Sequence, residues 1–223
     1  MSKAYDRSCY VVNVVSTRRA DGQRTRAAIL RRAADMATVN GLDGLTIGTL
    51  AGALGMSKSG LYAHFKSKEE LQLATVEEAG RIFDEQVTAR ALRAEPGIGR
   101  LVAVCDAFFD YLQRRCFPGG CFFAVTALEM GSRPGRVKER VAQLQGGFVE
   151  TLRQNSADAI RLEQLETTEG PDALAFELNG VILAADVHFV LHGNEGVLDI
   201  ARQVVRRRLG VAGSRPQRGN TPS

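Results

Sequence analysis

The sequence predicts an all-α chain in which a small three-helix amino-terminal head precedes a larger helical body. Three observations carry this. Apolar residues recur at helical spacing along most of the chain, no run alternates with the period of two expected of a strand, and glycine and proline divide the chain into segments of helical length. With 223 residues, 44% hydrophobic and 24% charged, the chain can bury one or two cores and lies outside the composition of disordered proteins.

Residues 1–22 show no apolar period and end in Arg18-Arg19-Ala20-Asp21-Gly22, which reads as a flexible basic arm or an extended translation start. From Gln23 a helix is expected, with Ile29, Ala33, Met36 and Ala37 on one face and Asn40-Gly41 as its carboxy-terminal stop. Thr46 is a good N-cap for a second helix bearing Ile47, Leu50, Ala51 and Leu54, which Gly55 ends. A third, shorter helix begins near Ser57 and carries Leu61 and Phe65. Ser67-Lys68-Glu69-Glu70 is a capping-box pattern opening a fourth.

Helices two and three, joined by a tight glycine turn, form a helix-turn-helix pattern. The stretch Ser57, Lys58, Ser59, Tyr62, His64, Lys68 suits DNA. Lys58 can reach a base edge, Ser57, Tyr62 and His64 can donate to phosphates, and Lys68 stands at a helix N-terminus where an anion is favoured. The alternative is a small three-helix core whose polar residues merely face water. Charge favours the first reading. Through residue 68 there are eleven basic and four acidic side chains, a balance of +7, which leaves −3 for the rest of a chain with net charge +4. A basic head on a mildly acidic body is the footprint of nucleic-acid binding.

The body is expected to hold helices near 69–92, 98–115, 120–131, 135–165, 171–192 and 195–209. They are separated by Glu95-Pro96-Gly97, Phe117-Pro118-Gly119-Gly120, Ser132-Arg133-Pro134-Gly135, Glu169-Gly170-Pro171 and Gly193-Asn194. Aromatic residues crowd its middle. Phe108, Tyr111, Phe122, Phe123, Met130, Phe148 and Phe176 are candidate walls of a ligand cavity, with Glu129 as a polar anchor, although core packing explains the same residues. Leu174, Leu178, Val181, Ile182, Ala185, Phe189 and His192 form a broad stripe on 171–192. Val197, Ile200, Ala201, Val204, Val205 and Leu209 form another on 195–209. These stripes can close a monomer core or meet a second copy.

Other chemistries find less support. No GxSxG, P-loop, HExxH or GxGxxG pattern is present, so a helical enzyme is the weaker reading and no cofactor is expected. His188 and His192 are spaced for a metal but lack a third ligand, so no metal site is expected. Cys9, Cys105, Cys116 and Cys121 include no CxxC pair, which suits a reducing cytoplasm. Arg114 and Arg115 beside Cys116 leave a cysteine redox sensor as an alternative. The apolar stretches Val11 to Val15 and Val181 to Ala185 are shorter than the roughly 20 residues of a membrane span, and the amino-terminal patch lacks a cleavage site, so no membrane association or signal peptide is expected.

The head resembles that of the TetR family of bacterial transcriptional regulators over roughly residues 24–72. The resemblance rests on Ile29-Leu30, Ala33, Gly41, Thr46, Leu50-Ala51, Gly55, Leu61-Tyr62, His64-Phe65, Lys68-Glu69 and Leu71. It implies an all-helical homodimer that binds palindromic double-stranded operator DNA, usually as a repressor, through a head at 23–72. A small-molecule effector held in a body at 73–210 would release the DNA, with 211–223 a disordered tail. It further implies that Thr46, Tyr62, His64 and Lys68 hold phosphates and that Lys58 reads bases. Ser59-Gly60 stands in the reverse of the family's usual order, so either of the two can be the one that approaches the DNA. Two-fold symmetry would pair the helices at 171–192 and 195–209 of each copy into a four-helix bundle, an interface containing Leu174, Leu178, Val181, Ile182, Ala185, Phe189, His192 and Val204.

Overall fold

The computed structural model describes the backbone of residues 8–211 and the side chains of 22–211. Among these residues there is no strand, and ten α-helices follow one another. In the head, α1 (Ser8–Asn40) is followed by α2 (Ile47–Leu54) and α3 (Lys58–Tyr62). The body contains α4 (Lys68–Phe83), a π-helical turn (Asp84–Thr88), α5 (Ala89–Ala91), α6 (Ile98–Gln113), α7 (Phe122–Met130), α8 (Arg136–Arg161), α9 (Pro171–His192) and α10 (Gly196–Arg208). The helix expected from Gln23 begins instead at Ser8, so residues 8–22, read as a basic arm, continue α1. The tail at 212–223 lies outside the described residues.

Local signals place the head's helix ends. Gly41 leaves α1 with a φ of 81°. The Thr46 side chain accepts from Thr49 N while Thr49 Oγ1 accepts from Thr46 N, a reciprocal cap at the start of α2. Gly55, in the left-handed region, ends the helix by donating to the Ala51 and Gly52 carbonyls. Ser57 caps α3 and Ser67 caps α4. The Glu70 carboxylate reaches back to Lys66 N rather than to Ser67 N, one residue outside a true capping box.

One continuous core runs from Ile29 to Leu209. In the head it joins Ile29, Ala33, Leu42, Ile47, Leu50, Leu61 and Phe65, all buried. Helix α4 packs on both α1 and α8. Helix α9 is the body's centre and packs on α6, α8 and α10. Arg202 and Arg206 of α10 clamp Asp106 of α6 at 2.9 and 2.7 Å, which fixes α10 against the body.

The expectation that no apolar stretch approaches membrane length is corrected for α9. Its 22 residues reach a mean hydropathy of 1.6 in the most apolar window, enough to cross a membrane by length and composition, with 39% of that window buried in the protomer. The cause is that both faces of α9 are apolar. Leu174, Leu178, Ile182, Ala185 and Phe189 lie in the core, while Phe176, Leu183, Val187, Val190 and Leu191 face outward.

Candidate nucleic-acid interface and effector cavity

The head gathers its polar residues around the start of α3. Ser57 Oγ accepts from Gly60 N at 3.1 Å and lies 3.1 Å from Ser59 Oγ. Ser57, Lys58, Ser59 and Tyr62 are exposed, Tyr62 by 54%. Thr46 comes from the other helix of the pair to the same place. A Cβ placed on Gly48 would stand 3.6 Å from Lys58 Cε and 3.7 Å from Thr46 Oγ1, so this glycine in the first turn of α2 lies beneath the lysine chain. Between Asp43 and Glu69 the sequence has no carboxylate. This stretch therefore offers hydroxyls, a phenol and an ammonium and contributes no acid of its own to repel a phosphate. His64 is half-buried beside Phe65, and its carbonyl accepts from Arg26, whose guanidinium lies 4.5 Å over the Phe65 ring. Lys68 is engaged elsewhere. Its Nζ donates to Asp43 Oδ1 at 2.8 Å while Arg133 holds Oδ2 at 2.6 Å. The Lys68 ammonium and the Arg133 guanidinium keep the Asp43 carboxyl down at about 2.

Head and body are fastened through the loop after α1. Glu129, near the end of α7, accepts from Leu42 N at 2.7 Å and from Asp43 N at 2.8 Å. Gln72 of α4 donates to the Leu42 carbonyl at 2.7 Å. Glu129 is thus not a cavity anchor. Its carboxylate is spent on two backbone donors of the head, more than eighty residues away in sequence and beyond the reach of any local pattern.

A cavity of about 500 Å³ opens between α4, α6, α7, α8 and α9. Of the expected walls, Phe108, Phe123 and Phe148 line it. Tyr111, Phe122 and Met130 are corrected: they are buried in the core but do not reach the cavity surface. Phe176 is corrected more strongly, being 78% exposed on the outer face of α9. Sequence reasoning missed Phe83, Leu144, Ile182 and Asp186. The available signal was Asp186, a lone carboxylate inside the apolar run from Val181 to Val190. Phe83 precedes the π-helical turn, a local widening frequent beside functional sites, and its ring meets those of Phe108, Phe123 and Phe148. A wider trough beside Ile160, Glu166 and Arg208 is polar, and its arginine is already bonded to Glu169 and Glu177.

The expected dimer residues divide. Leu174, Leu178, Ile182, Ala185 and Phe189 are corrected: each is at most 2% exposed and belongs to the protomer's own core. Val181 and Val204 are half-buried and His192 is exposed. The free apolar face of α9 lies on the opposite side and carries Phe176, Leu183, Val187, Val190 and Leu191. Burial pushes the Cys105 and Cys121 thiols up to about 12, which opposes thiolate chemistry at both, while Cys116 is half-buried. The His188 and His192 rings are 5.5 Å apart, and among the described residues no three His, Cys, Asp or Glu side chains converge as metal ligands.

These features define an all-α DNA-binding regulator with a helix-turn-helix head and a cavity-bearing body. Residues 29–75 match the model for bacterial regulatory proteins of the tetR family, and residues 97–205 match the tetracyclin repressor-like carboxy-terminal domain. The chain belongs to the TetR family of transcriptional regulators. A TetR transcriptional regulator from Chloroflexus aurantiacus J-10-FL superimposes with a TM-score of 0.78 at 26% identity, over 86% of this chain and 96% of that one. A TetR-family transcriptional regulator from Streptomyces coelicolor reaches 0.69 at 24% identity, over 83% of this chain and 95% of that one. AibR, solved with isovaleryl coenzyme A and operator DNA, also reaches 0.69 at 24% identity, over 84% of this chain and 100% of that one. No curated protein matches the chain.

Proposed function

We propose that the protein is a cytoplasmic, homodimeric repressor that leaves a palindromic operator when an apolar or amphipathic ligand enters the cavity. The observation that carries this reading is the double connection between cavity and head. Helix α4 has Phe83 in the cavity wall at one end and Gln72 on the head loop toward the other. Helix α7 lines the cavity through Phe123, Ala127 and Leu128 and holds the same loop through Glu129. A ligand that displaces either helix changes where the head sits. AibR, a protein of similar fold, was solved with both a small molecule and operator DNA, which supports a chain of this fold having a site for each.

In this reading the head at 23–72 contacts DNA through Thr46, Ser57, Lys58, Ser59, Gly60, Tyr62, His64 and Lys68, and the body at 73–210 holds the ligand. Lys68 must exchange Asp43 for a phosphate on binding. Two copies meet through the outward face of α9, while Val181 and Val204 lie in a groove between α9 and α10. Two heads on one face of DNA then sit about 34–36 Å apart, or a multiple of it, in successive major grooves. Because coupling is reciprocal, operator DNA must weaken the ligand by the factor with which the ligand weakens the DNA. The test is fluorescence anisotropy with the intergenic DNA beside the gene. Salt-dependent binding to a palindrome, weakened by Lys58→Ala and Tyr62→Phe, is expected; binding unchanged by both substitutions would refute the assignment.

A further inference from the structure

The effector cavity carries charge of one sign only. Among the described residues nineteen line it, of which Asp186 is the one charged residue and none is a lysine, arginine or histidine. Asp186 is 3% exposed, and its two oxygens share a single donor, the backbone N–H of Cys121, at 3.1 and 3.3 Å. Among the described residues no cationic side chain pairs with it. Space for the carboxylate comes from Gly120, at a φ of 91°, where a Cβ would stand 2.5 Å from Asp186 Oδ1.

The rest of the wall is mostly aliphatic and aromatic. Phe83, Phe108, Phe123 and Phe148 form a cluster whose ring centroids stand 5.2 Å apart between Phe83 and Phe148 and 6.1 Å between Phe108 and Phe148. Aromatic faces are electronegative and attract cations. A buried carboxylate without a counter-charge is costly, and a cation delivered into the same apolar space offsets that cost while an anion adds to it. Gln145 and Asn179 complete the polar lining with neutral amides.

We propose that the cavity takes an organic cation with an apolar body, a lipophilic amine or quaternary ammonium compound, whose charged group pairs with Asp186 while its hydrocarbon part lies against the four phenylalanines. This rests on the reading of the cavity as the effector site and specifies the chemistry of the effector. An anionic acyl compound would find no cation here to hold it. Burial raises the Asp186 carboxyl to about 6, so it is ionised near neutral pH and becomes neutral below that. The titratable groups packed beside it, Tyr111 of α6 and Cys121 before α7, are pushed up by burial, Cys121 to about 12, and stay uncharged across that range. His188, two residues along α9, is exposed.

The test is calorimetry on the full chain without DNA, using the permanently charged benzyldimethyloctylammonium ion and the neutral benzyl octyl ether. The cation is expected to bind the wild type at least tenfold more tightly than the ether does. Asp186→Asn keeps an acceptor for the Cys121 N–H and should lose at least tenfold of the cation affinity while binding the ether as before. In the wild type, cation affinity should rise from pH 5 to pH 7.5, and in Asp186→Asn it should not. Asp186→Glu retains the charge and should keep the preference for the cation, which guards against a fold defect in the asparagine variant. Equal affinity of the wild type for cation and ether, or Asp186→Asn binding the cation within twofold of wild type, would overturn the proposal. A separate anisotropy experiment adds the cation to the operator complex. Tight, Asp186-dependent binding that leaves the DNA in place would overturn the release reading and leave the ligand class standing. Release by the ether without any preference for the cation would do the reverse.

Discussion

Replacing Glu129 with alanine should loosen the loop after α1, one of several attachments between head and body. The carboxylate accepts two backbone N–H groups, from Leu42 at 2.7 Å and from Asp43 at 2.8 Å, distances typical of charge-assisted bonds. Such bonds contribute about 1.5–3 kcal/mol each; because Glu129 is half-buried, the lower end applies, or about 3 kcal/mol for the pair. If that free energy is lost from local opening, amide exchange at Leu42 and Asp43 accelerates by roughly a hundredfold. If it is lost from global unfolding, the melting temperature falls by about 6–12 °C for a chain of this size. Glu129→Gln keeps one acceptor oxygen and should show about half the effect. Coupling should fall as well, because α7 carries both Glu129 and cavity-lining residues: the ratio of operator affinities with and without effector should move toward one. Hydrogen exchange followed by NMR, with thermal melts in parallel, reads these outcomes. Unchanged exchange at both amides together with an unchanged melt would refute the role given to Glu129.

Lys58→Ala should weaken DNA binding unevenly among sites, by about 1–3 kcal/mol at the preferred one, whereas Lys68→Ala should weaken all sites alike and reduce the salt slope by about one. Asp43→Asn removes the carboxylate that competes for Lys68 and should tighten DNA binding in low salt, read by anisotropy; weaker binding would count against Lys68 as a phosphate contact. Val187→Asp combined with Leu191→Asp should give monomers with intact helical circular dichroism that lose the operator, while Ala185→Asp should unfold the protomer because that side chain is 2% exposed; sedimentation showing a dimer for the double variant would exclude this face. Asp186→Asn should stabilise the ligand-free protein above about pH 6. With the carboxyl at 3.8 when unfolded and about 6 when folded, the unfolded chain binds fewer protons between those values, so wild-type stability falls as pH rises through that window. The penalty above it is on the order of 3 kcal/mol, present in wild type and absent from the variant, and chemical denaturation at pH 4 and pH 7.5 would measure it.

What the sequence made legible was local. Gly41, Thr46, Gly55, Ser57 and Ser67 act through hydrogen bonds and dihedral angles within a few residues of themselves, so the helix ends they mark can be read without knowing the rest of the molecule. The start of α1 was not legible because residues 8–22 lack an apolar stripe, and helix there extends a segment already nucleated. The site was harder. Phe176 and Phe148 are the same residue type in similar company, yet one is 78% exposed and the other lines the cavity. Aromatic crowding predicts burial somewhere, not the surface to be covered.

Helix α9 shows the deeper reason. Periodicity identifies a face when the opposite face is polar, and in α9 it is not. The stripe Leu174, Leu178, Ile182, Ala185, Phe189 and the outer set Phe176, Leu183, Val187, Val190, Leu191 are both apolar, so spacing alone cannot say which one the protomer keeps. Packing decides it: α6, α8 and α10 take the inner stripe. The outer set has a second use. Leu183, Val187, Val190 and Leu191 also line the cavity, alongside Leu128 of α7, which is 84% exposed. A partner copy seated on the outer face would therefore cover the mouth of the cavity, and the apolar body of an effector would be withdrawn from water on both sides. Between Gly180 and Val190, α9 carries only Asp186 and His188 as polar residues, and His188 is exposed. Asp186 is the charged exception on its buried side: locally it satisfies the Cys121 N–H, and the proposed cationic ligand would supply the counter-charge that the protein does not.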